Sequence, residues 1–211
     1  MPLHKIFEDA ERRMTENGYD PYLESDPPPI EESVDALTLS EVEVDTTVLV
    51  ELEPFEYEHA NSVGIRRFTE NWGRADAAHY DRSRMQDDRT AQVAACVAEL
   101  AVAKYVNEYW GGHAWPERLH SLYKEVPDVG RNIEVRRVRG DNPPAIRHYQ
   151  RGKGLVLFAV RVVEPELRSA EILGWIDHDE GWESRRKSQW GHTVPVDVLY
   201  APMDYFDRKK S

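Results

Sequence analysis

Two carboxylates and an arginine stand close together in the stretch VPDVGRNIEVRRVR, residues 126–139. Asp128 and Glu134 have five residues between them, one of which is Gly130, and Arg136 follows Glu134 by two positions. Carboxylate oxygens are the ligands that hard divalent cations such as Mg2+ prefer. The stretch therefore fits a metal-dependent active site, and it fits equally a tight turn followed by a strand.

Another carboxylate lies within the most apolar segment of the chain. Residues 90–110, TAQVAACVAELAVAKYVNEYW, predict a buried helix because apolar residues occupy several of its faces. Glu99 lies in the middle of this segment, and a buried carboxylate is rare unless it is paired or binds a metal. Two interpretations stay open: a glutamate at the helix edge bonded to an arginine, or a carboxylate that points into a catalytic centre.

The elements that would position these residues are predicted from periodicity and turn formers. The segment before Pro54 predicts a strand, and a helix is expected after that proline. Further along, four β-like segments are separated by Gly- and Pro-rich turns: 132–139, 145–150, 155–163 and 171–177. Their spacing predicts a mixed or meander sheet with the most apolar segment, LVLFAVRVV, at its centre. Pro195 and Pro202 favour a terminal strand or an irregular cap over a long helix.

The charge of the chain is concentrated near its N-terminus. Residues 1–60 contain 17 acidic and 3 basic side chains, a net charge of −14, whereas residues 61–211 contain 22 acidic and 24 basic ones, a net charge of +2. Residues 3–17 have the apolar spacing of an amphipathic helix, and a proline-rich linker follows. We therefore predict an acidic helix-and-linker extension over residues 1–45 and a folded domain over residues 46–211.

The composition of the chain argues against several classes of protein. No apolar run reaches 18 residues and the first residues lack the pattern of a signal peptide, so we expect a cytoplasmic protein without a membrane partner. Cys96 is the one cysteine, which excludes an internal disulfide and a zinc site built from cysteines. Its apolar surroundings predict a small core residue.

Several fragments in one order resemble a known superfamily. An acidic residue on a core helix, then Pro-Asp, then Glu-x-basic on a strand is similar to the PD-(D/E)XK nucleases. The chain more closely resembles a group of small phage proteins of that superfamily. The fragments that carry this resemblance are AELAVAKYV (98–106), WGG (110–112), PDVG (127–130), IEVR (133–136), GWI (174–176) and VP (194–195). The likeness covers about residues 55–205.

The resemblance implies an α/β fold with a restriction-endonuclease-like core, in which helices flank a central mixed β-sheet. It implies Mg2+- or Mn2+-dependent cleavage of DNA, in the cytoplasm of the host cell if the chain is encoded by a phage. The ion would be bound by Asp128, Glu134 and Glu99, and the catalytic residues would be these three and Arg136. On a strand Glu134 and Arg136 share a face, so a simple ion pair between them is the alternative.

Arg136 departs from the family pattern, in which lysine is usual at this position. Arginine stays protonated, so it can position a phosphate but is a poor base. The alternative function is therefore a catalytically inactive nuclease-fold protein that binds DNA or a host protein. In that case the acidic extension would be an interaction surface or a DNA mimic. The sequence leaves the oligomeric state open.

A run of basic residues surrounds the motif. Residues 131–153 contain seven basic and two acidic side chains, and phosphate contacts of this kind provide most sequence-independent affinity for nucleic acids. Apart from Arg136, the predicted DNA-binding residues are Arg131, Arg137, Arg139, Arg147, Arg151 and Lys153.

Overall fold

The computed structural model describes residues 47–72, 88–116, 119, 126–188 and 191–208. The extension over residues 1–45, with its predicted helix at 3–17, lies outside the described residues. Residues 73–87, which connect the first two described helices, lie outside the described residues as well.

A four-stranded mixed sheet forms the centre of the described domain. Its strands are β1 (Val48–Glu51), β2 (Ile133–Val138), β4 (Val156–Val162) and β5 (Ser169–Asp177), in the order β1-β5-β4-β2. β4 pairs in parallel with β2 and antiparallel with β5, and β1 pairs antiparallel with β5. The expected mixed sheet is confirmed, and its most apolar strand lies in the interior as predicted. The finer restriction-endonuclease-like topology stays a prediction.

Two long helices, α1 (Pro54–Trp72) and α2 (Asp88–Val106), pack against each other, and α2 packs on the sheet. Pro54 opens α1, where its missing N–H costs nothing, and the Glu56 side chain accepts a hydrogen bond from the Glu53 amide at 2.7 Å. The buried side chains of α2 include Cys96, which lies in the core as expected. No helix in the described part of the chain is long and apolar enough to span a membrane.

The second long helix ends earlier than its sequence predicts. We expected it over residues 90–110, but it ends at Val106. Asn107 has a φ of +53°, the left-handed conformation that commonly terminates helices and that asparagine tolerates better than most residues. The Glu108 amide then donates to the Ala103 carbonyl at 3.0 Å, as the amides just beyond a helix end often do.

Gly64 allows α1 to approach α2 closely. A Cβ atom at this position would lie 2.6 Å from the Cα atom of Val93, so a larger side chain would push the helices apart. Gly64→Ala is expected to lower the free energy of unfolding by about 1–3 kcal/mol, although alanine ordinarily stabilises a helix interior. Urea denaturation measures this change. Ser62→Ala, exposed on the same helix, is the control, and equal stability of the two variants would contradict the prediction.

The predicted strand at residues 145–150 does not join the main sheet, so this prediction is wrong in part. Only Ala145–Ile146 form a strand, β3, and His148–Gln150 form a 3-10 turn. Because β2 and β4 are parallel, the chain must cross from the end of one to the start of the other, and this segment lies within that crossover. β3 instead belongs to a small second sheet with β6 (Arg186–Ser188) and β7 (Gly191–Thr193), in the order β3-β7-β6.

The small sheet and two short helices, α3 (His178–Glu183) and α4 (Asp204–Arg208), complete the described fold. The Asp177 side chain caps α3 by accepting a hydrogen bond from the Asp179 amide at 3.1 Å. The C-terminal part contains β7, a 3-10 turn at Val196–Val198 and the five-residue helix α4, which agrees with the expectation of a terminal strand or an irregular cap instead of a long helix.

The two faces of β2 pack against different parts of the core. Ile133 and Val135 belong to the large apolar cluster that includes α2, whereas Leu157, opposite Glu134, belongs to a smaller cluster with Ile146 of β3. The alternation of side chains along a strand therefore directs Glu134 and Arg136 towards the small sheet.

Candidate functional site

Asp128 is attached to the edge strand of the main sheet by a single backbone contact. Its Oδ2 atom accepts a hydrogen bond from the Val135 amide at 2.8 Å. The chain turns back between the two residues at Gly130, whose φ is +55°, and Val129 forms an isolated bridge with Ile133. β2 has a sheet neighbour on only one side, so the carboxylate satisfies an amide that no strand covers.

Glu134 and Arg136 lie on the same face of β2, as the sequence predicts, and they form an ion pair of 2.5 Å between Oε1 and Nη1. Glu134 is 6% exposed. The guanidinium of Arg136 also donates to the Ala145 carbonyl at 3.2 Å and to Gln150 Oε1 at 2.8 Å. Arg136 is thus held in one orientation by β2 and by the crossover.

Glu99 is buried within α2, and both of its oxygens are bonded. Arg67 of α1 makes a bidentate contact, with Nη1 2.6 Å from Oε1 and Nη2 2.8 Å from Oε2, and Trp110 Nε1 donates to Oε2 at 2.9 Å. Arg67 Nε also donates to the His113 carbonyl at 2.6 Å. Of the two interpretations of Glu99, the arginine pair is therefore the observed contact. The carboxylate is fully buried, however, instead of lying at an edge.

The charges of the two other predicted carboxylates act on Asp128. Burial raises the pKa of Asp128 well above its ordinary value, and the negative charges of Glu99 and Glu134 raise it further. Arg136 and the Val135 amide act in the opposite direction without offsetting this rise. Burial alone would lower the pKa of Arg67, but its contact with Glu99 outweighs this effect and raises it. The charges of Glu99 and Glu134 thus act on Asp128, and the convergence of the three carboxylates on one ion stays a prediction.

The donor set suits an ion bound by two carboxylates better than one bound by three. In the described part of the chain, no three acidic, histidine or cysteine side chains are arranged so that they could hold one metal ion. Asp128 and Glu134 flank the Val135 backbone, and two carboxylates with one carbonyl suffice for Mg2+, which keeps several waters. Because Arg67 and Trp110 bond both oxygens of Glu99, its role as a ligand stays a prediction.

The predicted DNA-binding residues do not form one surface. Arg131, Arg147, Arg151 and Lys153 are exposed, and Arg151 lies over the Trp182 ring at 5.5 Å. Arg137 and Arg139, in contrast, are half-buried and line a separate pocket. Strand alternation places Arg137 on the face of β2 opposite to Arg136.

Three polar residues near this site were not predicted from the sequence: Arg67, Gln150 and His178. The buried position of Glu99 was the only signal for a cationic partner, and it did not indicate which arginine. Gln150 was hidden in a segment predicted to be a strand. His178 is 1% exposed, and neither ring nitrogen has a hydrogen-bond partner among the described residues. Burial lowers its pKa, and the nearby charge of Arg136 adds to this effect.

No protein-family model matches this chain, and neither a curated protein nor a solved structure matches it. Its relation to the PD-(D/E)XK superfamily therefore rests on the sequence motifs and stays a prediction.

Proposed function

We propose that this domain is a phage-type, restriction-endonuclease-like phosphodiesterase that cleaves DNA with Mg2+ or Mn2+ held by Asp128 and Glu134. The observation that carries the proposal is the 2.8 Å hydrogen bond from the Val135 amide to Asp128. This bond fixes Asp128 beside Val135, the residue that follows Glu134, on the edge strand of the main sheet.

The residues of the site have separable tasks. The Val135 amide orients Asp128, and Arg136 orients Glu134 by the ion pair on the same strand face. The remaining oxygens, Oδ1 of Asp128 and Oε2 of Glu134, would hold the cation. The Val135 carbonyl, which accepts a hydrogen bond from Arg136 Nη1 at 3.3 Å, would contribute through its second lone pair. A bound Mg2+ would supply an activated water and offset charge on the phosphoryl oxygens.

Arg136 is a positioning residue in this proposal. An arginine keeps its proton at all relevant pH values, and the contacts of Arg136 with Glu134 and Gln150 hold its charge in place. Because all three nitrogens of its guanidinium are engaged within the fold, it acts through Glu134 and is unsuited to acting as the general base. We place the DNA backbone along the exposed basic side chains that surround this region, Arg131, Arg147, Arg151 and Lys153.

A second function, binding of DNA or a host protein without cleavage, is favoured by one specific observation. Both Glu99 and Glu134 are already neutralised by arginines, at 2.6 Å and 2.5 Å respectively. An ion pair that persists in the presence of a cation would leave Asp128 as the main source of negative charge. In that case the acidic extension over residues 1–45 would be the interaction surface or DNA mimic.

Nicking of supercoiled plasmid with Mg2+ or Mn2+ separates the two functions. Asp128→Asn and Glu134→Gln are each expected to lower the nicking rate at least about 100-fold, since loss of an outer-shell partner alone costs about 10- to 100-fold. Asp197→Asn, an exposed aspartate, is the matched control and should retain the wild-type rate.

If the wild-type chain does not nick plasmid faster than the Asp128→Asn/Glu134→Gln double variant with either ion, the enzymatic proposal is wrong. A gel-shift titration of the same proteins over a range of salt concentrations then tests the binding function, because contacts to phosphates weaken steeply as salt rises.

A further inference from the structure

A pocket distinct from the carboxylate site lies at the C-terminal ends of β2 and β4. Its volume is about 250 Å3, and three arginines, Arg137, Arg139 and Arg161, contribute to its lining with Gly140 and Glu164. Arg137 alternates away from Glu134 and Arg136 along β2. The pocket is thus a feature that the proposed cleavage does not use.

The lining of the pocket contains three arginines and one glutamate, Glu164, so cationic side chains outnumber acidic ones there. Burial lowers the pKa of Arg137 to about 10, the charge of Arg139 adds to this effect, and Glu164 only partly opposes it. A guanidinium whose protonated form is disfavoured by a neighbouring cation would gain from a bound anion.

Arg161 supplies an independent observation. Its Nη1 atom is 3.2 Å from Glu171 Oε2 and its Nη2 atom donates to the Gly140 carbonyl at 3.2 Å, so that two corners of the guanidinium are fixed. Its Nε atom is buried and has no hydrogen-bond partner within the part of the chain that the structure describes. A buried donor without an acceptor costs free energy, which an anionic ligand would recover.

We propose that this pocket binds one phosphate group. The forked guanidinium group of arginine can form two parallel hydrogen bonds with the oxygens of one phosphate. The volume of the pocket, about 250 Å3, is smaller than that of pockets that hold drug-sized ligands. The phosphate would be either a free or terminal one or a phosphodiester within a DNA backbone. The inference does not depend on cleavage at Asp128 and Glu134.

Isothermal titration calorimetry without divalent cations tests the proposal and distinguishes the two sources. The full chain is titrated with inorganic phosphate, with a short DNA duplex that has terminal phosphates, and with the same duplex without them. Arg139→Gln and Arg137→Lys are compared with Arg186→Gln, an exposed arginine on β6, and circular dichroism confirms that each variant is folded.

Loss of one charged hydrogen-bonding group is expected to weaken binding about tenfold or more. If inorganic phosphate binds and Arg139→Gln weakens it, the pocket takes a free or terminal phosphate. If only the duplexes bind, and Arg139→Gln weakens both alike, the pocket takes a backbone phosphodiester. Arg137→Lys should show a smaller loss because it keeps the charge without the fork. If Arg139→Gln and Arg186→Gln bind all three ligands alike, or if no ligand binds, the proposal is wrong.

Discussion

Asp128→Asn is expected to stabilise the folded protein increasingly as the pH rises above about 4, the ordinary pKa of an aspartate. Burial and the charges of Glu99 and Glu134 raise the pKa of Asp128 well above this value. At pH values between the ordinary pKa of the unfolded state and the raised pKa of the folded state, Asp128 keeps its proton in the folded protein and has lost it in the unfolded chain. Ionisation therefore favours unfolding, and the wild-type protein loses stability through this window. Asparagine does not ionise, and its side-chain oxygen can still accept the hydrogen bond from Val135.

Urea denaturation at a series of pH values measures this effect. The difference in the free energy of unfolding between Asp128→Asn and the wild type should grow by about 1.4 kcal/mol per pH unit within the window. It should then level off above the folded pKa. Asp197→Asn is the control for loss of an exposed charge and should follow the wild-type curve. Parallel curves for Asp128→Asn and the wild type would show that the pKa of Asp128 is not raised in the folded state.

The same measurement with added Mg2+ connects stability to the proposed function. An ion present at 100 times its Kd stabilises the folded state by about 2.7 kcal/mol. The wild type should gain this stability above the raised pKa of Asp128, and Asp128→Asn should not. These two results together would explain why the site contains an aspartate that destabilises the fold. The negative charge of Asp128 lowers the stability of the ion-free protein, and the same charge binds the ion.

Arg67→Met is expected to lower the free energy of unfolding by about 3–5 kcal/mol, the cost of removing one partner from a buried ion pair. Glu99 would be left buried with Trp110 as its only contact among those described above. The double variant Arg67→Met/Glu99→Gln removes both charges and should recover a large part of this loss. A cycle of the two single variants and the double variant gives the coupling free energy between the two residues.

The exposed pair Arg151–Glu183 is the matched control for this cycle. Its nitrogen and oxygen are 3.4 Å apart, and the two side chains are 46% and 72% exposed. Arg151→Met should change the free energy of unfolding by no more than about 1 kcal/mol. If Arg67→Met and Arg151→Met have similar effects, the buried pair does not determine stability, and the account of Glu99 given above is wrong.

Local sequence patterns were sufficient for much of the fold and for part of the site. The strand with Glu134 and Arg136 on one face follows from the period of a β-strand, and the interior position of β4 follows from its apolar sequence. These features depend on neighbours in the chain, so short-range rules predict them. The turn that returns Asp128 to the strand is also local, since Asp128 and Val135 are seven positions apart.

Contacts between distant segments could not be predicted in the same way. Arg67 precedes its partner Glu99 by 32 positions, and no spacing rule selects it over the adjacent Arg66. Gln150 reaches Arg136 only because β2 and β4 are parallel, which places a crossover beside the site. The apolar and polar alternation of a strand does not reveal whether its neighbour is parallel or antiparallel, so the role of this segment was missed.

The pairing of β1 with β5 also determines when the domain can fold during synthesis. Val48 pairs with Ile172, so β1 has no partner until 124 further residues (172 minus 48) have been made. At translation rates of about 5–20 residues per second, β1 remains unpaired for roughly 6–25 s. Until then the apolar side chains of β1 that pack in the core of the folded domain, Val48 and Val50, cannot be buried against β5. The carboxylate site at the far edge of the sheet lies on β2, which pairs with β4, and both of these strands are made before β5.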